Sequence, residues 1–187
     1  GEYFPVYEDE KGTYILNSRD MCTVDHLKDL MDAGIDCIKI EGRAKSAYYA
    51  AIITGAYRHC LDDVAAGRSI DPVWREEVER VSHRHYATGF YYGHPGQYYE
   101  DSRYIRDWQV CAVVEDCSPD GLATLSLRNK FAAGDSMEVV GPDLPGLPFT
   151  VPEMVDMEGN PLTEPRTPQM QFYLHLGKQV PPLTILR

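Results

Sequence analysis

The stretch that decides the fold is "CIKIEGRAKSAYYA", residues 37–50, which joins an apolar run to a helix rich in alanine and tyrosine. Alternating apolar and charged side chains predict a short strand over residues 36–40. Ser46 is the expected N-cap of the helix that follows. In parallel α/β folds, ligand-binding loops follow the strands, so this junction is a candidate site. Its charged residues are Lys39, Glu41, Arg43 and Lys45.

The segments on either side extend the pattern of alternating strands and helices. Residues 3–16 predict two short strands around an acidic turn, and apolar spacing over residues 24–31 predicts a helix capped by Asp20 or Thr23. Glycines at 34 and 67 are expected to end the first and second helices, and Asp71-Pro72 to start a third. This strand-helix order is typical of a parallel α/β sheet or part of a barrel.

The second half of the chain has a different pattern of apolar and turn-forming residues. From about residue 101, short alternating segments are separated by Pro, Gly and Asp turns, which predicts five to seven strands closed into a small β barrel. The expected fold class is therefore α/β plus all-β. We expect residues 1–95 to be the C-terminal portion of a barrel-like (TIM-type) domain, 96–103 a linker, and 104–187 the β barrel.

Composition limits the functional classes. The net charge is -11, and residues 1–90 hold 16 acids against 11 bases, so bulk charge does not indicate a basic nucleic-acid module. The odd count of five cysteines, without a C-x-x-C pair, favours reduced thiols in the cytoplasm. No apolar run approaches the roughly 20 residues of a membrane helix, and no signal peptide opens the chain. Because the chain starts at Gly1 without a methionine, we expect a piece of a longer protein.

Residues that follow the two predicted strands form a candidate anion site. The residues after the first strand are Asn17, Ser18, Arg19 and Asp20, and those after the second are Glu41, Gly42 and Arg43. Lys39 is expected to point into a barrel interior or pocket and to pair with Glu41, which lies two residues on. Together with Lys45 and the amides at the start of the next helix, these cations predict binding of an anionic ligand. The alternative is an ion-pair network that only closes the end of the barrel.

Two other clusters are weaker candidates. The histidines at 83, 85 and 94 invite a metal interpretation, but zinc prefers three or four ligands at recognisable spacing, and the sequence predicts no metal site. His83, Arg84 and their neighbours more simply predict a small basic surface that touches phosphate. Cys22 and His26 lie at helical spacing, yet a nucleophilic thiolate also needs an oxyanion site and an orienting partner, and none is visible.

Four segments carry a family resemblance and span most of the chain in order. They are "NSRDMC" at 17–22, "GIDCIKIEGRAKSAYY" at 34–49, "HRHYATGF" at 83–90 and "NKFAAGDSMEVV" at 129–140. On these motifs the chain resembles the collagenase-like peptidase family U32. The resemblance implies a parent protein with a barrel-like catalytic domain followed by a β-barrel domain similar to translation-factor domain two.

Within the family, "GEYFPVYEDEKGTYILNSRD" resembles the branch of prephenate-dependent proteins for 5-hydroxylation of the tRNA wobble uridine. The resemblance implies tRNA as the partner of the parent chain, and prephenate and an iron–sulfur cluster as its cofactors. The family's cluster cysteines lie upstream of this segment, so we expect no cofactor in this chain.

Carried onto this sequence, the resemblance makes Glu41 and Arg43 catalytic candidates and Lys39, Arg43 and Lys45 anion-binding candidates. Arg84, Arg128 and Lys130 are the RNA-contact candidates. Two alternatives remain open: a collagenase-like protease that acts on peptide bonds, and a non-catalytic β-barrel module for docking or RNA binding.

Overall fold

The computed structural model describes residues 3, 6–10, 12–14, 17–98 and 103–187. The chain divides into two compact units, Gly1–Asp107 and Trp108–Arg187. The first unit contains the helices, and the second consists of strands and turns. The linker at 96–103 stays a prediction.

The first unit contains two small pairs of strands. Strands β1 (Tyr7–Asp9) and β2 (Gly12–Tyr14) form an antiparallel hairpin, which confirms the predicted turn. Strands β3 (Asp20–Met21) and β4 (Tyr86–Ala87) pair in parallel, and the Cys22 N–H extends this ladder by donating to the Ala87 carbonyl at 2.9 Å. The parallel pair brings residues 66 positions apart to the lining of the site described below.

The helices end and begin where local chemistry predicts. A 3-10 turn (Val24–His26) leads into α1 (Leu27–Asp32), followed by α2 (Ala47–Ala65) and α3 (Pro72–Glu77). Ser46 Oγ accepts a hydrogen bond from the Tyr49 N–H at 3.2 Å, which confirms the predicted N-cap of α2. After α2, Gly67 adopts φ +69°, a left-handed conformation that glycine reaches at low cost.

Two expectations for this unit are wrong. Residues 36–40 form no strand in the described part of the chain, because an extended segment becomes a strand only by pairing with a neighbour, and none pairs with it here. Asp20 does not cap the first helix: Thr23 occupies the cap without a side-chain hydrogen bond, and Asp20 belongs to β3.

The second unit is built on one eight-stranded sheet whose hydrogen-bonded order is β10-β9-β11-β6-β5-β12-β7-β8. Every pairing in it is antiparallel. The strands are β5 (Ala112–Cys117), β6 (Leu122–Leu127), β7 (Ser136–Gly141), β8 (Leu144–Thr150), β9 (Met154–Asp156), β10 (Pro161–Leu162), β11 (Gln171–His175) and β12 (Ile185–Leu186).

The predicted closure of this sheet into a barrel is wrong, since β8 and β10 do not pair with each other among the described residues. Two features keep them at the edges. Pro145 and Pro148 remove backbone donors from β8, and β10 has only two residues. The sheet packs around fully buried apolar side chains: Val114, Leu125, Phe172 and Leu174.

Candidate functional site

The first unit carries a cleft of about 420 Å³ that is lined by cations, two carboxylates and aromatic rings. Strand β3 and the loop before α2 supply most of its charged walls, so the two predicted groups of site residues do meet. The lining residues used in the argument are Arg19, Asp20, Lys39, Glu41, Arg43, Lys45, Arg84 and Tyr104.

Asp20 is the electrostatic centre of the cleft. Its Oδ1 accepts a hydrogen bond from Arg84 Nε at 2.8 Å, and its Oδ2 accepts one from the Arg84 backbone N–H at 3.1 Å. Lys45 Nζ lies 3.3 Å from the same Oδ2. The side chains of Asp20 and Lys45 are each only 16% exposed, so this ion pair is largely removed from water. The predicted network of charges therefore exists, with a carboxylate from β3 at its centre.

Burial is the largest influence on the Asp20 carboxyl group and raises its pKa. The hydrogen bonds from Arg84 and the positive charges of Lys45 and Arg84 together outweigh burial, so the net pKa of Asp20 is lower than its ordinary value. Asp20 is consequently ionised at neutral pH and holds both cations in place.

The Lys45 ammonium group contacts several groups of the protein. Besides Asp20, its ammonium donates to the Ser82 carbonyl at 2.9 Å and lies 4.0 Å above the Tyr104 ring. The Tyr49 ring is 5.2 Å away. Such a cation stabilises the wall of the cleft, and its charge is already balanced before any ligand binds.

Three other cations line the cleft without a partner. Arg19, Lys39 and Arg43 are exposed, and none makes a side-chain hydrogen bond, ion pair or ring contact within the described residues. They present positive charge to the cleft that the protein does not neutralise. An arginine fork among them is suited to carboxylate or phosphate oxygens.

The predicted Lys39–Glu41 pair is not formed between these two described residues. Glu41 Oε1 instead accepts a hydrogen bond from the Arg43 backbone N–H at 2.9 Å. A side chain that closes on its own loop in this way orders the turn and leaves Lys39 available. In the first turn of α2, Tyr49 lines the cleft, but its N–H already donates to Ser46 Oγ at 3.2 Å, so this amide is not available to a ligand.

Ser18 and Arg84 support the site from its edge. Arg84 Nη1 donates to Ser18 Oγ at 2.6 Å, while the rest of the guanidinium holds Asp20. Arg84 is therefore an internal partner in this structure, and its predicted RNA contact stays untested. Arg128 Nη1, in the second unit, donates to Ser126 Oγ at 2.7 Å, and Lys130 is exposed.

The inner wall is polar but not activated for nucleophilic attack. Tyr57 Oη accepts a hydrogen bond from the Thr23 N–H at 2.9 Å and lies 3.7 Å from Cys22 Sγ. Burial, followed by the nearby Cys22, raises the pKa of Tyr57 to about 12. Burial also raises the pKa of the Cys22 thiol, so a reactive thiolate is disfavoured at neutral pH.

The predicted basic surface of Arg80, His83, Arg84 and His85 is formed only in part, since His85 is exposed whereas His83 is buried. His83 is only 3% exposed, and its ring stacks on Tyr86 at 4.3 Å with an interplanar angle of 7°. Arg80 pairs with Glu77 at 3.1 Å, so its charge is also compensated. His83 and Arg80 are each engaged by a side chain three residues away, and the H-x-H pattern alone could not reveal that.

Sequence reasoning placed Asp20 in the candidate group but missed its role as the counter-charge of Lys45 and Arg84, and it missed Tyr104 altogether. Tyr104 lies under three cations, with Lys45 at 4.0 Å, Arg106 at 5.5 Å and Arg84 at 5.6 Å from its ring centroid. No local sequence pattern predicts that the Tyr104 ring contacts cations, because Lys45 and Arg84 are distant from it in the sequence. The one available signal was the presence of Asp20 beside Ser18 and Arg19 in a loop that follows a strand.

Membrane-spanning helices and metal-binding clusters are both absent from the described residues. No helix among them is long and apolar enough to cross a membrane. No group of three or more His, Cys, Asp or Glu side chains there is arranged to hold a metal ion.

Family models account for both units. The model of peptidase family U32 matches residues 2–101, and the model of the peptidase family U32 C-terminal domain matches residues 106–187. The chain belongs to peptidase family U32. The cleft residues from Arg19 to Tyr86 lie within the first of these matches, Tyr104 lies between the two matches, and the eight-stranded sheet lies within the second.

Individual U32 relatives carry two kinds of name. The chain is 38% identical over 164 residues to "tRNA hydroxylation protein P" of Escherichia coli K12, covering 85% of this chain and 36% of that protein. It is 29% identical over 189 residues to "tRNA hydroxylation protein P1" of Bacillus subtilis 168, covering 97% and 45%. "Collagenase" of Porphyromonas gingivalis is 26% identical over 147 residues, covering 72% and 39%. The chain thus spans less than half the length of these relatives.

Proposed function

We propose that this chain is the C-terminal part of a U32 protein that takes part in 5-hydroxylation of the wobble uridine of tRNA. The observation that carries the proposal is the trio of unpartnered cations, Arg19, Lys39 and Arg43, around one cleft. The names of the Escherichia coli and Bacillus subtilis relatives supply hydroxylation and tRNA, and the wobble uridine comes from the family resemblance given above. An uncompensated cationic cleft suits the anionic substrates that this reaction would use.

Within the proposal, the cleft residues have distinct roles. Arg43 and Lys39 bind an anion, either the carboxylates of prephenate or a tRNA phosphate, and Arg19 completes the positive field. Asp20 is a positioning residue, because it fixes Lys45 and Arg84 through the contacts described above. Glu41 orders the loop that presents Arg43.

The architecture of the parent forms part of the proposal. The parallel pair β3–β4, followed and preceded by helices, is the kind of unit from which a TIM-type barrel is built. We place this pair near the end of such a barrel-like domain and the cleft at its ligand-binding face. The three cations would then face a substrate held by the barrel.

The iron–sulfur cluster implied by the family does not fit the cysteines of this chain. Cluster ligands are converging thiolates, whereas the five cysteines are unpaired and dispersed, and burial raises the pKa of Cys60 and of Cys111 to about 11. No step is assigned through a cluster here. Five unpaired thiols are consistent with a cytoplasmic protein, which we also propose.

A collagenase-like protease is the second candidate, and the name of the Porphyromonas gingivalis relative favours it. This function requires an activated nucleophile or a metal in the parent. Cys22 is a poor nucleophile because burial raises its pKa. The second unit as a docking or RNA-binding module alone is the third candidate.

Nucleoside mass spectrometry of tRNA tests the proposal. Deletion of the full-length gene should remove 5-hydroxyuridine derivatives from wobble positions, and complementation with the wild-type gene should restore them. An unchanged nucleoside profile in the deletion strain would reject the proposal. Hydrolysis of gelatin by the purified full-length protein would then support the protease.

A further inference from the structure

A loop of exposed aromatic side chains follows β4 directly. We call residues 88–94 the aromatic loop. Phe90 is 77% exposed, Tyr91 63% and Tyr92 55%. Three consecutive aromatic residues with most of their surface in water are costly to solvate, and such clusters mark interaction sites.

The aromatic loop is fixed to the rest of its unit at both ends. The Tyr92 hydroxyl donates a hydrogen bond to the Asp29 carboxylate on α1, and its ring lies 4.2 Å from the His26 ring. At the other end, Gly89 adopts φ +63°, and a Cβ placed there would lie 3.3 Å from Met21 Sδ. Tyr92 is thus an anchor that holds its two neighbours in place.

Phe90 and Tyr91 are the side chains left for a partner. Phe90 makes an edge contact with the His94 ring at 5.6 Å, which leaves a ring face open. Tyr91 makes no hydrogen bond or ring contact with any other described residue. The pair therefore offers aromatic faces on an anchored support.

The aromatic loop begins at the rim of the cationic cleft. Strand β4 pairs in parallel with β3, and Met21 lies opposite Ala87 in that register. Asp20 and Met21 both line the cleft, and Met21 also meets the loop at Gly89. A ligand that occupies the cleft would therefore reach the loop across one methionine side chain.

Acidic residues near the loop do not oppose a polyanion, because each has a cationic or hydrogen-bonding partner. Asp29 is engaged by Tyr92 and by His26, and Asp32 pairs with Lys28 at 2.5 Å. Asp25 pairs with Arg75 at 2.9 Å. The cleft adds positive charge beside the loop, because its Arg19, Lys39 and Arg43 have no partner among the described residues.

We propose that Phe90 and Tyr91 stack on unpaired bases of the RNA whose anionic group occupies the cleft. The inference rests on the proposed function and names the form of RNA that the site takes: an open loop, not a duplex. Aromatic side chains beside a cationic groove are the usual way to bind unpaired bases. Paired bases stack on each other inside a duplex and present no free face.

Binding measurements on the full-length parent protein test this inference. The probes are a hairpin RNA with an open loop and a fully paired duplex of the same length. Replacing Phe90 and Tyr91 together by Leu should lower the affinity for the hairpin about tenfold or more for each stacking contact that is lost. Leucine keeps the side chain apolar but has no ring on which a base can stack. Duplex binding should stay unchanged.

Tyr91→Phe is the matched control, because it keeps the ring and removes only the hydroxyl. It should bind the hairpin like the wild type. Both side chains are exposed, so thermal melting of each variant should match the wild type as well. A variant that melts normally yet binds only the hairpin poorly cannot be explained by misfolding.

Hairpin affinity that survives the double Leu change would overturn the inference, and so would an equal loss on hairpin and duplex. Unchanged RNA binding together with a changed association state would place a protein on the loop instead. These outcomes are separate from failure of the proposed function, which is judged by wobble nucleosides in the deletion strain. Normal wobble hydroxylation by the double variant would overturn base stacking alone.

Discussion

At the scale of single residues, the cleft separates two kinds of cation. Lys45 and Arg84 are balanced by Asp20, whereas Arg43 and Lys39 face the cleft without a partner in the part of the chain that the structure describes. The sequence predicted the charge cluster, because strand-following loops collect ligand-binding groups. It could not assign the partners, since Lys45 and Asp20 are 25 residues apart and meet only through the fold.

Asp20→Asn should destabilise the first unit. The change keeps the shape of the side chain but leaves Lys45 and Arg84 half-buried without a counter-charge. We expect a loss of about 2 kcal/mol in the free energy of unfolding, below the ~3–5 kcal/mol for a fully buried pair. Urea denaturation measures it, with Asp32→Asn, in an exposed pair with Lys28, as the control. Equal small losses in both variants would contradict the central role of Asp20.

The Asp20 pair should also weaken in acid. Because the pKa of Asp20 is lowered in the folded state, the folded protein releases this proton more readily than the unfolded chain does. The ionised carboxylate therefore stabilises the folded state at pH values above the unfolded pKa of about 3.9. It is lost as the pH falls through the folded pKa. The stability difference between wild type and Asp20→Asn should therefore be constant from neutral to weakly acidic pH and shrink below about 4. A difference that persists in stronger acid would contradict this sign.

At the scale of elements, sequence rules worked where the interaction is local. The Ser46 cap, the Asp71-Pro72 start of α3 and the Gly67 terminus all depend on atoms within a few residues. The strand at residues 36–40 was wrong because a strand needs a distant partner. The predicted closure of the β sheet was wrong for a similar reason. The sequence pattern of each segment predicts a strand, but it does not determine whether the two edge strands pair with each other.

Gly121 provides a test of packing between turns of the second unit. It has φ +90°, and an added Cβ would lie 2.6 Å from the Lys178 backbone nitrogen. Gly134 has nearly the same φ, +92°, with nothing within 4 Å of its Cβ position. Gly134→Ala should cost about 1–2 kcal/mol for the left-handed backbone, and Gly121→Ala about 1–3 kcal/mol more for the clash. Equal losses in urea denaturation would show that the two turns do not pack closely.

At the scale of the whole molecule, each unit has the interactions of a separate domain. The apolar core around Phe172 and Leu125 consists of residues from the second unit alone. Glu138 Oε2 accepts hydrogen bonds from Arg187 Nε at 3.0 Å and Nη2 at 2.8 Å within the same unit. Residues 108–187 expressed alone should therefore unfold in one cooperative transition. A gradual, non-cooperative loss of structure by circular dichroism would contradict this independence.

The most direct test of the central claim is the level of wobble 5-hydroxyuridine in a deletion strain complemented with Arg43→Ala. Mass spectrometry of the nucleosides should show loss of the modification, while Arg58→Ala, which removes an exposed arginine paired with Asp62 on α2, should restore it like the wild type. Both proteins should be present at equal abundance. Full hydroxylation by Arg43→Ala would contradict the assignment of this cleft as the anion site of the reaction.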